Sequence, residues 1–490
     1  MRRTEVAAGS LALVLGLLHL WLAPHSGTDL SAQLARASFA EEAPLTPIDL
    51  SWYGGTHPFA YSLLAPGLMA VLGVGLCGLL AAVASSVLLA RLLADSLRPV
   101  AASLLGAVFM VANTVSGRTT FGLGMVAGLA ALLALPRSRR TAVLGVLTAL
   151  LSPVAAAFVG LVAAVLVLHR RPGGWTLGLS VSAPVVLLAL LFEGGGVQPL
   201  RGAAAIPAVL AGLGLAALTT SPLVRTGALL WGLGVLFFAQ HDDPFGSNAL
   251  RLGLLLASVA LLATAARSRL LPVALAGLLV WQLAPPYGDL GGERGPRTEV
   301  LVAELVARGA DRVEVLAPLD HREASDVARR VPLARGWSRQ TDFARNRLFY
   351  EGTLTAEEYL GWLHEHAVDH VAVPRDVELD FGSTREAELL AGPVPGLREV
   401  WRSREWVLHE VVSPTPLATS PATVVSSGRR SVVLRLGRPA DVLLHVRWSR
   451  WLTVASGDAC LERYGDEVRL RVRSAGTVEV GSSLRPRGHC

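Results

Sequence analysis

The chain contains no lysine: all 44 basic residues are arginine, beside 38 acids and 12 histidines. Cysteine is nearly absent too. Cys77, Cys460 and Cys490 are the only three in 490 residues. None stands in a Cys-x-x-Cys or Cys/His spacing that would hold a metal. There is no G-x-x-x-x-G-K-[ST] phosphate loop, no H-E-x-x-H and no G-x-S-x-G, which leaves ATP-driven transport and zinc or serine hydrolysis without support. The glycine-rich stretches GLGMVAG and GLGVL lie inside apolar runs, where they read as close helix packing rather than nucleotide binding. The apolar runs are nearly free of acids, which weighs against ion-coupled transport. No internal repeat, low-complexity segment or pair of matched halves is visible.

What is present is apolar. Hydrophobic residues make up 52% of the chain and the mean hydropathy is +0.48, which places most of it in lipid. Residues 1–284 are long apolar runs with short polar breaks, whereas 297–490 are rich in Arg, Glu and Asp. A sequence pI of about 9.8 does not require nucleic acid as a partner, because the arginines flank apolar runs, where they set membrane orientation. Ala, Gly, Pro and Arg dominate, the mark of a GC-rich bacterial genome. The N-terminus, MRRTEV followed by AAGSLALVLGLLHLWLA, has no A-x-A-like site after Trp21 and reads as an uncleaved signal-anchor helix.

Eleven apolar runs fall at about 7–23, 74–95, 99–114, 120–135, 141–152, 154–168, 175–192, 204–219, 226–239, 250–265 and 270–284. A full span takes about 20 residues, so several must tilt, extend into their flanks or stop short. Alternate breaks carry arginine: Arg2 and Arg3, Arg91 and Arg98, PRSRR at 136–140, HRR at 169–171, Arg225, then Arg267 and Arg269. Placing these in the cytoplasm puts 24–73, 113–119, 193–203, 240–249 and everything after 285 outside. The stretch 141–168 is long for one span and short for two, with Ser152-Pro153 at its middle. A re-entrant hairpin keeps the arginine alternation, provided the broken backbone is buried in protein or lines a cavity. The expected fold is a polytopic α-helical membrane domain over 1–284 with a first outer loop at 24–73, and a linker at 285–296. An extracytoplasmic α/β subdomain follows at 297–420, then a β-rich, sandwich-like or barrel-like subdomain at 421–490. If exported, that last part allows a Cys460–Cys490 disulfide.

The unusual residues collect in the outer loops. GTDLSAQLARASF places Asp29 just past the first run and ahead of a short amphipathic helix, where it serves as a helix cap or as a functional acid. A second short helix is expected at 62–73. Between the two, DLSWYGGTHP holds Trp52, Tyr53 and His57. The aromatic pair suits headgroup level or a sugar face, and the Gly-Gly allows a tight turn or close approach of a ligand. In ANTVSGRTTFGLG, Arg118 sits on the outer side against the topological bias, so it needs an anionic partner: a phosphate, a carboxylate or a loop acid such as Asp29. HDDPFGSNALRLG offers Asp242 and Asp243, and also Asn248 and Arg251, the last two close enough to face one cavity. Glu193 reads as a solvated acid. In the C-terminal part, GWSRQTDFARNRLFYEG presents Trp337, Asn346 and Tyr350, and His321 follows a strand, where ligand sites often form; packing is the plainer reading of all four.

With these residues in place, the layout resembles the GT-C superfamily of membrane glycosyltransferases. GTDLSAQLARASF, SWYGGTHPFAYS, SGRTTFGLG and GSNALRL stand where that family's first outer loop and later outer loops stand. The chain is similar to actinobacterial integral membrane proteins of this type, which share GW-x-RQ, N-x-LFY-x-G-x-L and Y-x-x-WL-x-x-x-AV-x-x-VA-x-P. The resemblance implies transfer of a sugar from a polyprenyl-phosphate-linked donor to a cell-envelope glycan, glycolipid or protein acceptor, at the outer face of a multi-pass plasma-membrane protein. Asp29 would be the general base. Arg118 and Arg251, with Asn248 beside them, would hold the donor phosphate, and Trp52, Tyr53 and His57 would line the sugar site. No cofactor is expected beyond the lipid-linked donor, which is a substrate. Many relatives carry two adjacent acids in the first loop, whereas here Asp29 stands alone, with Glu41, Glu42 and Asp49 only later. A transporter or flippase, and a non-catalytic envelope-assembly protein, are the competing functions.

Overall fold

Each of the eleven apolar runs forms a helix in the computed structural model, which describes residues 2–135, 137–292 and 295–490. Pro136 of the PRSRR run and Glu293 and Arg294 of the expected linker lie outside the described residues. Contacts divide the chain into two units: Met1–Gln33 with Ala60–Gly292 and Arg339–Thr341, and Leu34–Phe59 with Glu293–Ser338 and Asp342–Cys490. The expected first loop is therefore shared, its residues 34–59 counting with the second unit.

The first unit is helical. It contains α1 (Arg2–Leu22), the start of α2 (Leu30–Glu42), the short α3 (Pro58–Tyr61) and α4 (Ala65–Leu72), and α5 (Val74–Leu92). Then come α6 (Pro99–Val115), α7 (Thr119–Leu133), α8 (Ser138–Leu151), α9 (Pro153–Leu168), α10 (Gly174–Leu191), α11 (Gly202–Leu218) and α12 (Pro222–Phe238). The last two are α13 (Leu250–Thr264) and α14 (Leu271–Gly291). Arg3–Leu22, Val74–Leu92, Gly174–Leu191 and Gly246–Thr264 are long and apolar enough to cross a membrane; five more apolar helices are shorter. The number long enough to span is thus four rather than eleven. Small residues let the helices approach closely, as where Gly128 of α7 lies against Thr148 and Val159. A core of Phe109, Met110, Phe121, Met125 and Phe158 fills the middle, with Phe121 and Phe158 edge to face at 5.9 Å.

The chain breaks at Ser152, whose Oγ caps α9 by accepting from Ala155 N at 3.3 Å, with Pro153 in the first helical position. Such a break orphans the last carbonyls of α8. They are met by the first loop: Leu150 O accepts from Leu63 N and Leu64 N at 3.0 and 3.1 Å, and Leu151 O accepts from Ser62 Oγ at 2.8 Å. Because Gly128 faces residues on both sides of the break, the chain turns back there.

The second unit has an α/β part and a β part. The α/β part holds α15 (Thr298–Arg308), β1 (Val313–Val315), α16 (Arg322–Asp326), α17 (Arg339–Arg345), α18 (Ala356–Glu365), β2 (His370–Pro374), α19 (Thr384–Leu390), β3 (Leu397–Arg402) and β4 (Trp406–Val411). Its sheet runs β1-β2-β4-β3, with β1 and β2 parallel and the other pairs antiparallel. Thr355 and Glu358 close a capping box on α18, as the Thr and acidic first turn lead one to expect.

The β part has β5 (Thr423–Ser427), β6 (Val432–Leu436), β7 (Ala440–Leu444), β8 (Leu452–Ser456), β9 (Ala459–Tyr464), β10 (Glu467–Val472) and β11 (Gly476–Ser482). They form two sheets, β7-β10-β9 and β5-β6-β11-β8. Alternate residues such as Leu434, Val478, Leu444 and Leu470 meet in one core, a sandwich rather than a closed barrel. A disulfide joins Cys460 to Cys490.

Segment 34–59 is built into this unit. Ile48 and Leu50 lie in the sandwich core. Ser51 O accepts from Leu333 N at 2.8 Å, on a segment that itself lies beside β1. Arg429 ties the segment down: Nη1 donates to Ser38 Oγ at 2.8 Å, and Nη2 donates to Ala35 O at 2.9 Å and pairs with Asp49 Oδ2 at 3.2 Å. Part of the long first loop is thus explained by folding: it completes a core and a sheet margin.

Candidate anion-binding active site

Two outer turns of the first unit touch through glycine. Gly27 and Gly117 have φ of 101° and 73°, values that suit glycine. A Cβ on Gly27 would stand 2.5 Å from Gly117 N, and Ser26 Oγ donates to Val115 O at 3.2 Å. This approach sets Asp29, two residues after Gly27, against Arg118, the residue after Gly117. Arg118 Nε lies 3.4 Å from Asp29 Oδ2, and Arg251 Nη2 lies 2.9 Å from the same oxygen.

Each arginine stands at a helix N-terminus, Arg118 just ahead of α7 and Arg251 in the first turn of α13. The positive ends of both helices add to the field of the guanidiniums. The turn before α13 is held by Asp243, whose Oδ1 accepts from Phe245 N and Gly246 N at 2.6 and 2.9 Å, and by Trp231, whose Nε1 donates to Ala249 O at 2.8 Å. Asp29, Arg118 and Arg251 side chains are 25%, 20% and 18% exposed, so the group is neither sealed nor fully wet. Burial first, and the neighbouring Arg251 second, push the Arg118 guanidinium below its ordinary value, against the pull of Asp29 and Asp289.

Asp29, Arg118 and Arg251 are brought together from sequence positions far apart, and Asn248 is buried just before Arg251. Trp52, Tyr53 and His57 belong to the second unit instead. Trp52 and Tyr53 are 4% and 6% exposed, and their rings are core. Trp52 Nε1 donates to Ala324 O at 3.1 Å and Tyr53 OH to Gly336 O at 2.5 Å. Burial holds the Tyr53 phenol well above its ordinary value. His57 Nε2 meets Ser449 Oγ at 2.9 Å. The expected sugar-stacking face is therefore corrected to a packing role, because segment 49–57 turns inward through Tyr53, Gly54 and Gly55, all with positive φ. Asp49, the later acid of the loop, is paired with Arg429.

Trp337, Asn346, Tyr350 and His321 also take structural places. Trp337 stacks on His321 at 3.5 Å, and Asn346 links Asp342 to Trp362 Nε1 at 2.8 and 3.0 Å.

The sequence reading passed over Asp289. It lies in the last turn of α14, and its Oδ1 accepts from Thr28 N at 3.2 Å, directly beside Asp29. It stands in PPYGDLG, where the sequence reads as linker. The available signal was an acid at the outer end of an apolar run. Gln33 and Thr120 were also missed; they join the same two turns through a 2.5 Å hydrogen bond from Thr120 Oγ1 to Gln33 Oε1. Among the described residues no group of three or more His, Cys, Asp and Glu side chains is arranged to hold a metal ion. No protein-family model matches the chain, and no curated protein matches it in sequence.

Proposed function

We propose that the protein is an integral membrane glycosyltransferase of the GT-C type. It transfers a sugar from a polyprenyl-phosphate-linked donor to a cell-envelope acceptor on the extracytoplasmic side. The observation that carries this reading is the sharing of one carboxylate oxygen, Asp29 Oδ2, by Arg118 and Arg251. Two half-buried guanidiniums on helix N-termini suit a phosphate, and a carboxylate within reach of that phosphate suits proton transfer. Further support comes from exposed apolar residues on the helices, such as Val273 and Val280, which suit lipid. The arginine alternation and the Cys460–Cys490 disulfide agree with an exported second unit, since disulfides persist in oxidising compartments.

In this reading the donor phosphate takes over the guanidiniums and releases the Asp29 carboxylate. Asp29 accepts the proton of the acceptor hydroxyl. The acceptor oxygen attacks the anomeric carbon from the face opposite the leaving group, and the bond from that carbon to the phosphate oxygen breaks. The phosphate leaves with the bonding electron pair, its added negative charge met by Arg118 and Arg251. The anomeric configuration inverts. The assay is transfer from a panel of radiolabelled polyprenyl-phosphate sugars to envelope acceptors. Asp29→Asn is expected to lower transfer by about 10²- to 10⁴-fold, with elution profile and disulfide unchanged. Equal transfer by both proteins removes the proposal.

A further inference from the structure

We infer that Asp289 is the fourth charged member of this site and sets the charge of the donor it accepts, favouring a singly charged phosphodiester over a diphosphate. The inference rests on the reading of Asp29, Arg118 and Arg251 as a phosphate site.

Asp289 reaches the site from the last turn of α14, and its Oδ1 receives the N–H of Thr28 at 3.2 Å. That hydrogen bond fixes the backbone immediately before Asp29. The position is costly for an acid, because the C-terminal end of a helix carries partial negative charge and favours cations. The last turn of α14 has no basic residue to compensate. The compensating cations are instead Arg118 and Arg251.

Charge balance then follows from four side chains. Arg118 and Arg251 contribute two positive charges, and Asp29 and Asp289 two negative ones, so the resting site is neutral. The two carboxylates are tethered and cannot leave when a donor arrives. A phosphodiester adds one negative charge to that balance; a diphosphate adds at least two. At side chains only about one-fifth exposed, the second charge is screened far less than on an open surface. During transfer the total does not change: the leaving phosphate gains one negative charge as Asp29 loses one by protonation. Asp289 keeps its charge throughout. It is a positioning and charge-setting residue, not the base.

Full-length protein in nanodiscs is titrated with two probes of equal chain length, a polyprenyl methyl phosphate and a polyprenyl diphosphate. The native protein is expected to prefer the methyl phosphate. Asp289→Asn keeps an oxygen for Thr28 N–H and removes the charge. It is expected to shift the affinity ratio toward the diphosphate by about tenfold, and Asp289→Glu to keep the native ratio. Asp289→Ser is the second neutral variant should the first not fold. A ratio unchanged in a folded neutral variant that still binds both probes overturns the inference and leaves the phosphate site standing. Binding that ignores both Arg118→Gln and Arg251→Gln, or no binding by the native protein, overturns the phosphate site itself.

Discussion

The two units handle buried arginine in opposite ways. In the first, two guanidiniums share one oxygen of Asp29. In the second, the single guanidinium of Arg335 is surrounded by carboxylates. It lies 2.8 Å from Glu314, 3.2 Å from Glu386 and 3.6 Å from Asp342, its side chain 7% exposed, with Phe349 stacked beneath it at 4.1 Å. Burial would lower the Arg335 pKa, but Glu314, Asp342 and Glu386 raise it well above the ordinary value. Burial holds Glu314 and Glu386 up, and Tyr359 OH donates to Glu386 Oε1 at 2.6 Å. A cation enclosed by acids and aromatic rings is saturated and belongs to the core. Cations that share one acid at a partly open surface have capacity for a further anion. Charge ratio and exposure together, not the presence of arginine, separate a structural cluster from a candidate site.

Removing the enclosed cation is the most damaging change. Arg335→Met leaves Glu314 and Glu386 buried without it, and the second unit is expected to lose about 3–5 kcal/mol, measured as the shift in its unfolding transition by near-UV circular dichroism. Opening the Cys460–Cys490 disulfide comes next. It closes a loop of sequence separation 30, so the paired Ser substitutions are expected to cost about 3–4 kcal/mol by loop entropy, read in the same transition.

His321 gives a pH-dependent effect. Burial lowers its pKa, but hydrogen bonds and charge from Asp380 and Glu323 outweigh this and raise it from 6.5 to about 9. The imidazolium therefore stabilises the fold fully below about pH 6.5, and that stability is lost as pH rises through about 9. His321→Gln is expected to abolish a difference on the order of 3 kcal/mol between melts at pH 6 and pH 9.5. The smallest effect on stability belongs to the open pair: Arg118→Gln is expected to change it by less than about 1 kcal/mol while abolishing phosphate binding. If Arg118→Gln unfolds the protein as Arg335→Met does, the contrast between the two clusters collapses.

The helices were legible because the long apolar runs of 1–284 leave helix as the natural way to satisfy the backbone, and the break at Ser152-Pro153 was legible because proline cannot continue a helix. Asp29, Arg118 and Arg251 stood out as polar residues next to apolar runs. The fate of 34–59 was not legible. Ile48 and Leu50 complete a core whose other members lie beyond residue 416, and Trp52 and Tyr53 donate to Ala324 and Gly336. Aromatic residues in a loop look alike in sequence whether they face ligand or core.

The sequence by itself determined which segments are apolar helices, where they stop, and that the C-terminal third alternates strands and helices before turning to β-structure. Those outcomes depend on neighbours a few residues apart. Only the tertiary structure decided that Asp29 would meet Arg118 and Arg251, that Asp289 would stand beside Thr28, and that Trp52 would be core. Those outcomes depend on residues 89 to 272 positions apart, and contacts of that range come from the packing of whole elements, which no local pattern records.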